Sequence, residues 1–260
     1  MVDIKEIKAR FDMLGELVQG AIAGRIRGLV VAGAPGIGKS YGIEQALKAE
    51  EPKQNDDPLH YNFTFQNNFR FVKGHSSAAG LYELLYEFRD ENAVLALDDC
   101  DSIFQDKIGL NILKAALDTT ARRVISWQTA GNQINAPKSF EFKGSLIFIT
   151  NLNFHEMVQA RRSELVPHLE AILDRCFYMD LGLESYDEKF AWVKYLSKDM
   201  QMLSKRGFTT NEIDDILEFI REKAGTRTRL ISLRKVQQVA DVFRTAKTDW
   251  RVMALYTVLV

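Results

Sequence analysis

The chain has 260 residues, of which 46% are hydrophobic and 27% charged, with a formal net charge of −1. That length suits one core domain with a smaller domain attached, and the apolar content is enough to build a buried core. A balance so close to zero excludes a global attraction to nucleic acid or to a membrane surface, so any such contact must come from a local patch.

In chain order, Ile4, Ile7, Phe11, Leu14, Leu17, Val18 and Ile22 recur at helical spacing and predict an amphipathic helix over the first two dozen residues. The apolar run Leu29-Val30-Val31-Ala32 reads as a buried strand. It leads directly into Gly33-Ala34-Pro35-Gly36-Ile37-Gly38-Lys39-Ser40, a match to the phosphate-cradling pattern G-x-x-x-x-G-K-[ST]. Such a loop ends a strand and opens a helix, so that successive backbone N–H groups and the positive helix end face the phosphates. With Tyr41, these residues are the expected binding loop for a nucleoside triphosphate. Lys39 is expected to reach the β/γ-phosphates, and Ser40 to ligate Mg2+.

The polar stretch Glu51–Pro58 reads as an exposed loop, followed by two aromatic strand candidates, His60–Phe65 and Phe69–Val72. A helix over about Ala79–Arg89 precedes the apolar run Ala93–Leu97, which ends in Asp98-Asp99-Cys100-Asp101. About sixty residues behind a phosphate loop, that acidic strand end is the expected second half of the site. Asp98 is expected to hold Mg2+ and Asp99 to orient or deprotonate the attacking water. A helix near Asp106–Asp118, a strand over Arg122–Trp127 and a turn containing Gly131-Asn132 that returns through Phe140–Phe142 predict a β-hairpin. The buried strand Leu146–Thr150 then ends in polar Asn151, able to face a γ-phosphate.

Together these residues resemble the core of an AAA+ ATPase, and the resemblance covers nearly the whole chain from Arg25 onward. It implies an α/β fold, a P-loop NTPase αβα sandwich with a parallel sheet, plus a small C-terminal α-helical lid. The expected boundaries are an N-terminal helix over 1–24, a core over 25–182 and the lid over 183–260. Thr150-Asn151 resembles the family's sensor-1 position. Ala171-Ile172-Leu173-Asp174-Arg175-Cys176 resembles the Ser-Arg-Cys segment of clamp-loader ATPases, which nominates Arg175 as an arginine finger acting across a subunit boundary. Arg161 and Arg162 are its competitors, and a helix-terminal arginine bonded to its own carbonyls is the plainer reading. Helices near Ser185–Leu203, Thr210–Lys223 and Ser232–Thr245, with a helix or strand near Asp249–Val258, look like the lid. Leu230–Val236 resembles the start of its sensor-2 helix and nominates Arg234, with Arg227 and Arg229 nearby.

The small, unadorned core and lid look like those of ATPases encoded by tailed bacteriophages. Family resemblance implies ATP and Mg2+ as ligands and a homo-oligomeric ring or spiral. It leaves open whether the motor acts on DNA or on a protein partner. Lys73–Ala78 and the hairpin with Arg122, Arg123, Lys138, Lys143, Trp127 and Phe140 are the segments that would meet a nucleic acid; the hairpin reads equally well as ordinary packing at a subunit interface. One departure stands out, because most members place glutamate where this chain has Asp99, and a shorter carboxylate implies slow or assembly-dependent hydrolysis. No apolar run approaches the ~18 residues of a membrane span, and no signal-peptide pattern opens the chain. Cys100 and Cys176 lack zinc-like partners. A cytoplasmic protein with reduced thiols and no membrane partner is therefore expected, in the host cytoplasm if the chain is phage-encoded.

Overall fold

The uninterrupted apolar runs become the buried centre of a parallel sheet. The computed structural model describes residues 2–49, 68–128, 134–159, 164–183, 185–225, 231–246 and 249–259. Its strands are β1 (Gly28–Ala32), β2 (Phe69–Lys73), β3 (Val94–Asp98), β4 (Val124–Ser126), β5 (Ser139–Glu141), β6 (Ser145–Thr150) and β7 (Phe177–Asp180). Five of them form one sheet in the order β2-β3-β6-β1-β7, every neighbouring pair parallel. Every residue of β1, β3 and β6 is buried, whereas β2 and β7 carry exposed positions. Strands covered on both faces tolerate only apolar or hydrogen-bonded side chains, which is why the three central runs lack alternation.

The helices are α1 (Ile4–Ile22), α2 (Lys39–Ala49), α3 (Ala78–Glu87), α4 (Lys107–Ala116), α5 (Phe154–Gln159), α6 (Val166–Leu173), α7 (Tyr186–Lys198), α8 (Thr210–Ala224), α9 (Leu233–Thr245) and α10 (Trp250–Thr257). The step from β1 to β2 runs one way along the sheet, and the steps β2 to β3, β3 to β6 and β6 to β7 run the other way. Right-handed crossovers then put α2 on one face and α3, α4 and α6 on the opposite face. One core holds Leu81 and Leu85 of α3, Leu110 and Leu113 of α4, Leu169 and Ile172 of α6, and Leu95, Leu97 and Phe148 of the sheet. The result is the expected P-loop αβα sandwich.

The chain divides into two compact units. One comprises Asp12–Ala32 and Lys39–Asp180, and the other Met1–Phe11, Gly33–Gly38 and Leu181–Val260. The division thus falls inside α1, and it groups six residues of the glycine-rich loop with the C-terminal helices. Those helices have a separate core built from Val193, Ile213, Ile216, Ile220, Val236, Val239 and Ala254. Two of them start with reciprocal caps: Ser185 with Glu188 for α7, and Thr209 with Glu212 for α8.

Several expected elements shift. The first lid helix stops at Lys198 rather than near Leu203, because Gln201 takes a positive φ of 59° and the chain turns into a short 3-10 segment, Ser204–Arg206. The segment near Asp249–Val258 is helical, capped by the Asp249 side chain. Helices α5 and α6 were not expected from the sequence; at six and eight residues they are too short for a clear periodic signal. The expected loop Glu51–Pro58, strand His60–Phe65 and turn Gly131-Asn132 lie outside the described residues.

The hairpin pairs β4 with β5 antiparallel, matching Ile125 with Phe140. It is bolted to the core by Arg123, which is 6% exposed. The Arg123 guanidinium donates to the carbonyl of Ala116 at 2.8 Å, the last residue of α4, and to that of Gly144 at 3.0 Å. A cation at a helix C-terminus answers both the unpaired carbonyl and the dipole. Burial nevertheless pushes its pKa down to about 10. Arg123→Met should leave two buried carbonyls without donors and cost about 2–4 kcal/mol in a urea melt; a loss under about 0.5 kcal/mol would show that the guanidinium is not holding the hairpin.

Candidate functional site

The parallel register brings the polar strand ends to one edge of the sheet. Lys73 pairs with Asp98, Asp98 with Ile149, and Ala32 with both Thr150 and Asp180. Connections leave β1 and β6, which are neighbours, toward opposite faces, which makes their carboxyl ends the topological switch point where open α/β sheets take ligands.

The side chains from these ends form a connected set. Lys39 Nζ donates to Asn151 Oδ1 at 2.9 Å, and Asn151 Nδ2 donates to Asp99 Oδ1 at 3.0 Å. Asn151, on the exposed tip of β6, therefore bridges the loop lysine to the second acid of β3. Ser40 Oγ donates to Asp98 Oδ1 at 2.9 Å. Asp98 is 7% exposed and Asp99 is exposed. The two acids differ because the chain turns sharply after Asp98: Asp99 adopts φ 53°, a left-handed conformation that aspartate tolerates better than most residues, while its N–H donates to Ile149 O at 3.0 Å.

Electrostatically the site is uncomfortable as it stands. Lys39 is 5% exposed, and burial pulls its pKa down to about 8 against the opposing pull of Asp99, Asp98, Asp101 and Asp180. Burial also raises the Asp98 and Asp101 carboxyls, offset by hydrogen bonds from Ser40 and Thr150 respectively. A buried ammonium beside half-satisfied carboxylates is what a polyphosphate with a divalent cation would relieve, so the residues present fit both groups.

The loop itself turns through glycines, and Gly36 takes φ 73°. A Cβ there would also lie 2.7 Å from Ser232 Cβ, so the position excludes side chains on two grounds. Gly33, Ala34, Pro35, Ile37 and Gly38 complete the loop, and Tyr41 lies 70% exposed near the start of α2.

The two nominated arginines sit on other elements of the chain. Arg175, in the turn between α6 and β7, donates Nη1 to the carbonyl of Ala171 at 2.6 Å, while its buried Nε meets no partner among the described residues. Arg234 is exposed in the first turn of α9, directly after Leu233, whose N–H donates to Gly36 O at 2.8 Å. Arg161, Arg162, Arg227 and Arg229 lie outside the described residues.

Of the two readings open for the hairpin, surface contact or ordinary packing, three of its residues take the second. Arg123, Trp127 and Phe140 are buried, the last two against Tyr82. Arg122 pairs with Glu141 at 3.5 Å and Lys143 with Glu91 at 3.2 Å. Residue types interleaved along a strand cannot tell a guanidinium that caps carbonyls from one that faces solvent. Lys73 is exposed and sits 3.5 Å from Glu44 of α2.

Nothing in the residue pattern signals the role of Asp101. Thr150 Oγ1, fully buried, donates to Asp101 Oδ1 at 2.7 Å and accepts from Leu152 N at 2.9 Å, fixing the bend that presents Asn151.

The architecture is a P-loop αβα sandwich with a parallel sheet, followed by C-terminal helices. The chain matches no protein-family model. It is 36% identical over 251 residues to the uncharacterized 36.7 kDa protein of the nrdC–mobD intergenic region of Enterobacteria phage T4, covering 95% of this chain and 73% of that protein. The chain belongs to the family of that phage protein. Domain III of the replication initiation protein DnaA from Thermotoga maritima shares the fold at a TM-score of 0.52 and 14% identity, over 95% of this chain and 92% of that one. NtrX from Brucella abortus, solved with ADP, aligns at a TM-score of 0.48 and 13% identity, over 96% of this chain and 52% of that one. Among the described residues, no helix is long and apolar enough to cross a membrane.

Thr150→Val should cost about 1–2 kcal/mol at pH 7, because Asp101 and the Leu152 N–H lose their partner. The raised Asp101 carboxyl destabilises the folded state while ionised, a cost relieved as pH falls through its folded pKa toward the unfolded value. The deficit should therefore shrink in urea melts as pH is lowered toward the unfolded carboxyl's range; a deficit that grows there would contradict this assignment.

Proposed function

We propose that this chain is a Mg2+-dependent ATPase that works as an oligomer in phage DNA metabolism, as a motor or loader in replication, recombination or repair. The observation that carries the reading is the hydrogen-bonded set Lys39–Asn151–Asp99 beside Ser40–Asp98, at the carboxyl ends of three adjacent parallel strands. When bound, ATP supplies a transferable phosphoryl group and Mg2+ disperses its charge. Gly33 to Gly38 and Tyr41 would cradle the nucleotide, with Lys39 on its terminal phosphates. Ser40 and Asp98 would hold the cation, exchanging their mutual hydrogen bond for ligation.

Asp99 is exposed and held by Asn151, so it can accept a proton from a water that Asn151 helps to place. Its carboxylate is one methylene shorter than glutamate, which favours slow turnover; Asp99→Glu should speed hydrolysis without tightening ATP binding. Arg234 would reach the terminal phosphate from the lid. Arg175 would serve a neighbouring subunit's site, releasing the Ala171 carbonyl to do so.

A protein-remodelling role, or a slow nucleotide-gated assembly platform, is the second reading. The observation favouring it is the burial of Arg123, Trp127 and Phe140, which leaves only the exposed cations Lys73, Arg122, Lys138 and Lys143 of those two segments for a DNA contact.

Steady-state hydrolysis with and without single- and double-stranded DNA tests the proposal. Wild-type protein should turn over ATP, and DNA should stimulate it. Lys39→Ala should abolish turnover, and Arg175→Ala should reduce it at least about 100-fold. Turnover that needs Arg175 but ignores DNA would move the search to a protein partner, and no turnover under any condition would refute the enzyme.

A further inference from the structure

A phosphate loop points consecutive N–H groups inward, which forces the intervening carbonyls outward. Outward carbonyls that are shielded from water need donors. In this chain two consecutive loop carbonyls find them on the C-terminal helices. Gly36 O accepts from Leu233 N at 2.8 Å, and Ile37 O accepts from Trp192 Nε1 at 2.9 Å. Ile37 is 1% exposed and Trp192 4% exposed, so water does not compete for this bond.

Trp192 is itself held in place. Its ring stacks on Phe11 at 4.0 Å between centroids with an interplanar angle of 18°, and lies 5.5 Å from Tyr195. Arg10, one residue before Phe11, donates to the carbonyls of Leu181 and Gly182, both at 3.0 Å, and pairs with Glu188 of the α7 cap. The indole N–H is thus aimed at the loop by the N-terminal helix and by the start of the lid. On the adjoining residue, Gly36 packs against the Ser232 cap of α9.

The geometry points to Trp192 as a positioning residue for phosphate binding: its indole N–H holds the glycine-rich loop in the shape that presents inward N–H groups. The inference rests on the nucleotide reading of that loop and goes beyond it by naming a residue some 150 positions away, outside any nucleotide motif. Trp192 touches no phosphate, so it acts on ground and transition states alike and should appear in affinity rather than in the chemical step.

Trp192→Phe separates the two contacts of the side chain, retaining an aromatic ring for Phe11 and deleting the donor. Losing one neutral hydrogen bond should weaken Mg2+-ADP binding by about three- to tenfold, and raise KM for ATP alike, with kcat within about twofold. A merely structural role would lower thermal stability without this KM-against-kcat split. Should the variant fail to fold, the wild-type protein still decides the matter, because its 15N-labelled indole signal from Trp192 should shift when Mg2+-ADP is added. An unmoved indole signal, or a variant affinity within twofold of wild type, overturns the inference. Wild-type protein that binds no ADP overturns the nucleotide reading and the inference together, whereas wild-type binding with an unaltered variant overturns the inference alone.

Discussion

The register of β6 against its two neighbours is the constraint from which the candidate site follows. β6 lies between β3 and β1, and Ile149 and Thr150 fall level with Asp98 and Ala32. That alignment lets Asn151 touch both Lys39, behind the β1 loop, and Asp99, behind β3. A one-residue slip of β6 would turn its buried set to the opposite face and carry Asn151 away from both partners. The slip is opposed because each of the six buried β6 side chains is close-packed in its own place and Thr150 would lose its bond to Asp101.

That arrangement concentrates charge where the protein can least solvate it. Lys39, Asp98 and Asp101 are shifted by burial first, and their mutual attraction offsets only part of the cost. Thr150 and Ser40 each supply one hydrogen bond to a carboxylate, and Asn151 supplies another to Asp99. The site is pre-assembled yet electrostatically unfinished, the condition in which binding a polyphosphate and a cation costs little reorganisation. The loop is braced in the same spirit, with carbonyls of Gly36 and Ile37 satisfied by backbone and indole donors rather than by water.

Legibility in the sequence tracked the range of the interactions. The glycine-rich loop, the acids after β3 and the polar tip of β6 are each specified within a few residues of a strand end, so spacing and residue type exposed them. Central strands were legible because burial on both faces removes alternation. The misreadings share a physical reason: Arg123 looks like a surface cation in one dimension, and only the fold reveals that Ala116 and Gly144 offer it carbonyls. Trp192 gave no signal because its partner, Ile37, is 155 positions away. Asp101 was hidden for a subtler reason, as the third acid in a cluster whose first two members already had roles. Helices α5 and α6 were hidden by their brevity.

The most direct test of the account is a thermal melt of the wild-type chain with and without Mg2+-ADP, repeated with Lys39→Met. A ligand specific for the folded state at a hundredfold excess over its Kd adds about 2.7 kcal/mol. For a chain of this size that corresponds to a shift of about 5–10 °C. The wild-type protein should shift by that order, less when the cation is chelated, and Lys39→Met should not shift. An equal shift in both proteins would place the nucleotide away from the β1 loop, and no shift in either would contradict the phosphate site itself.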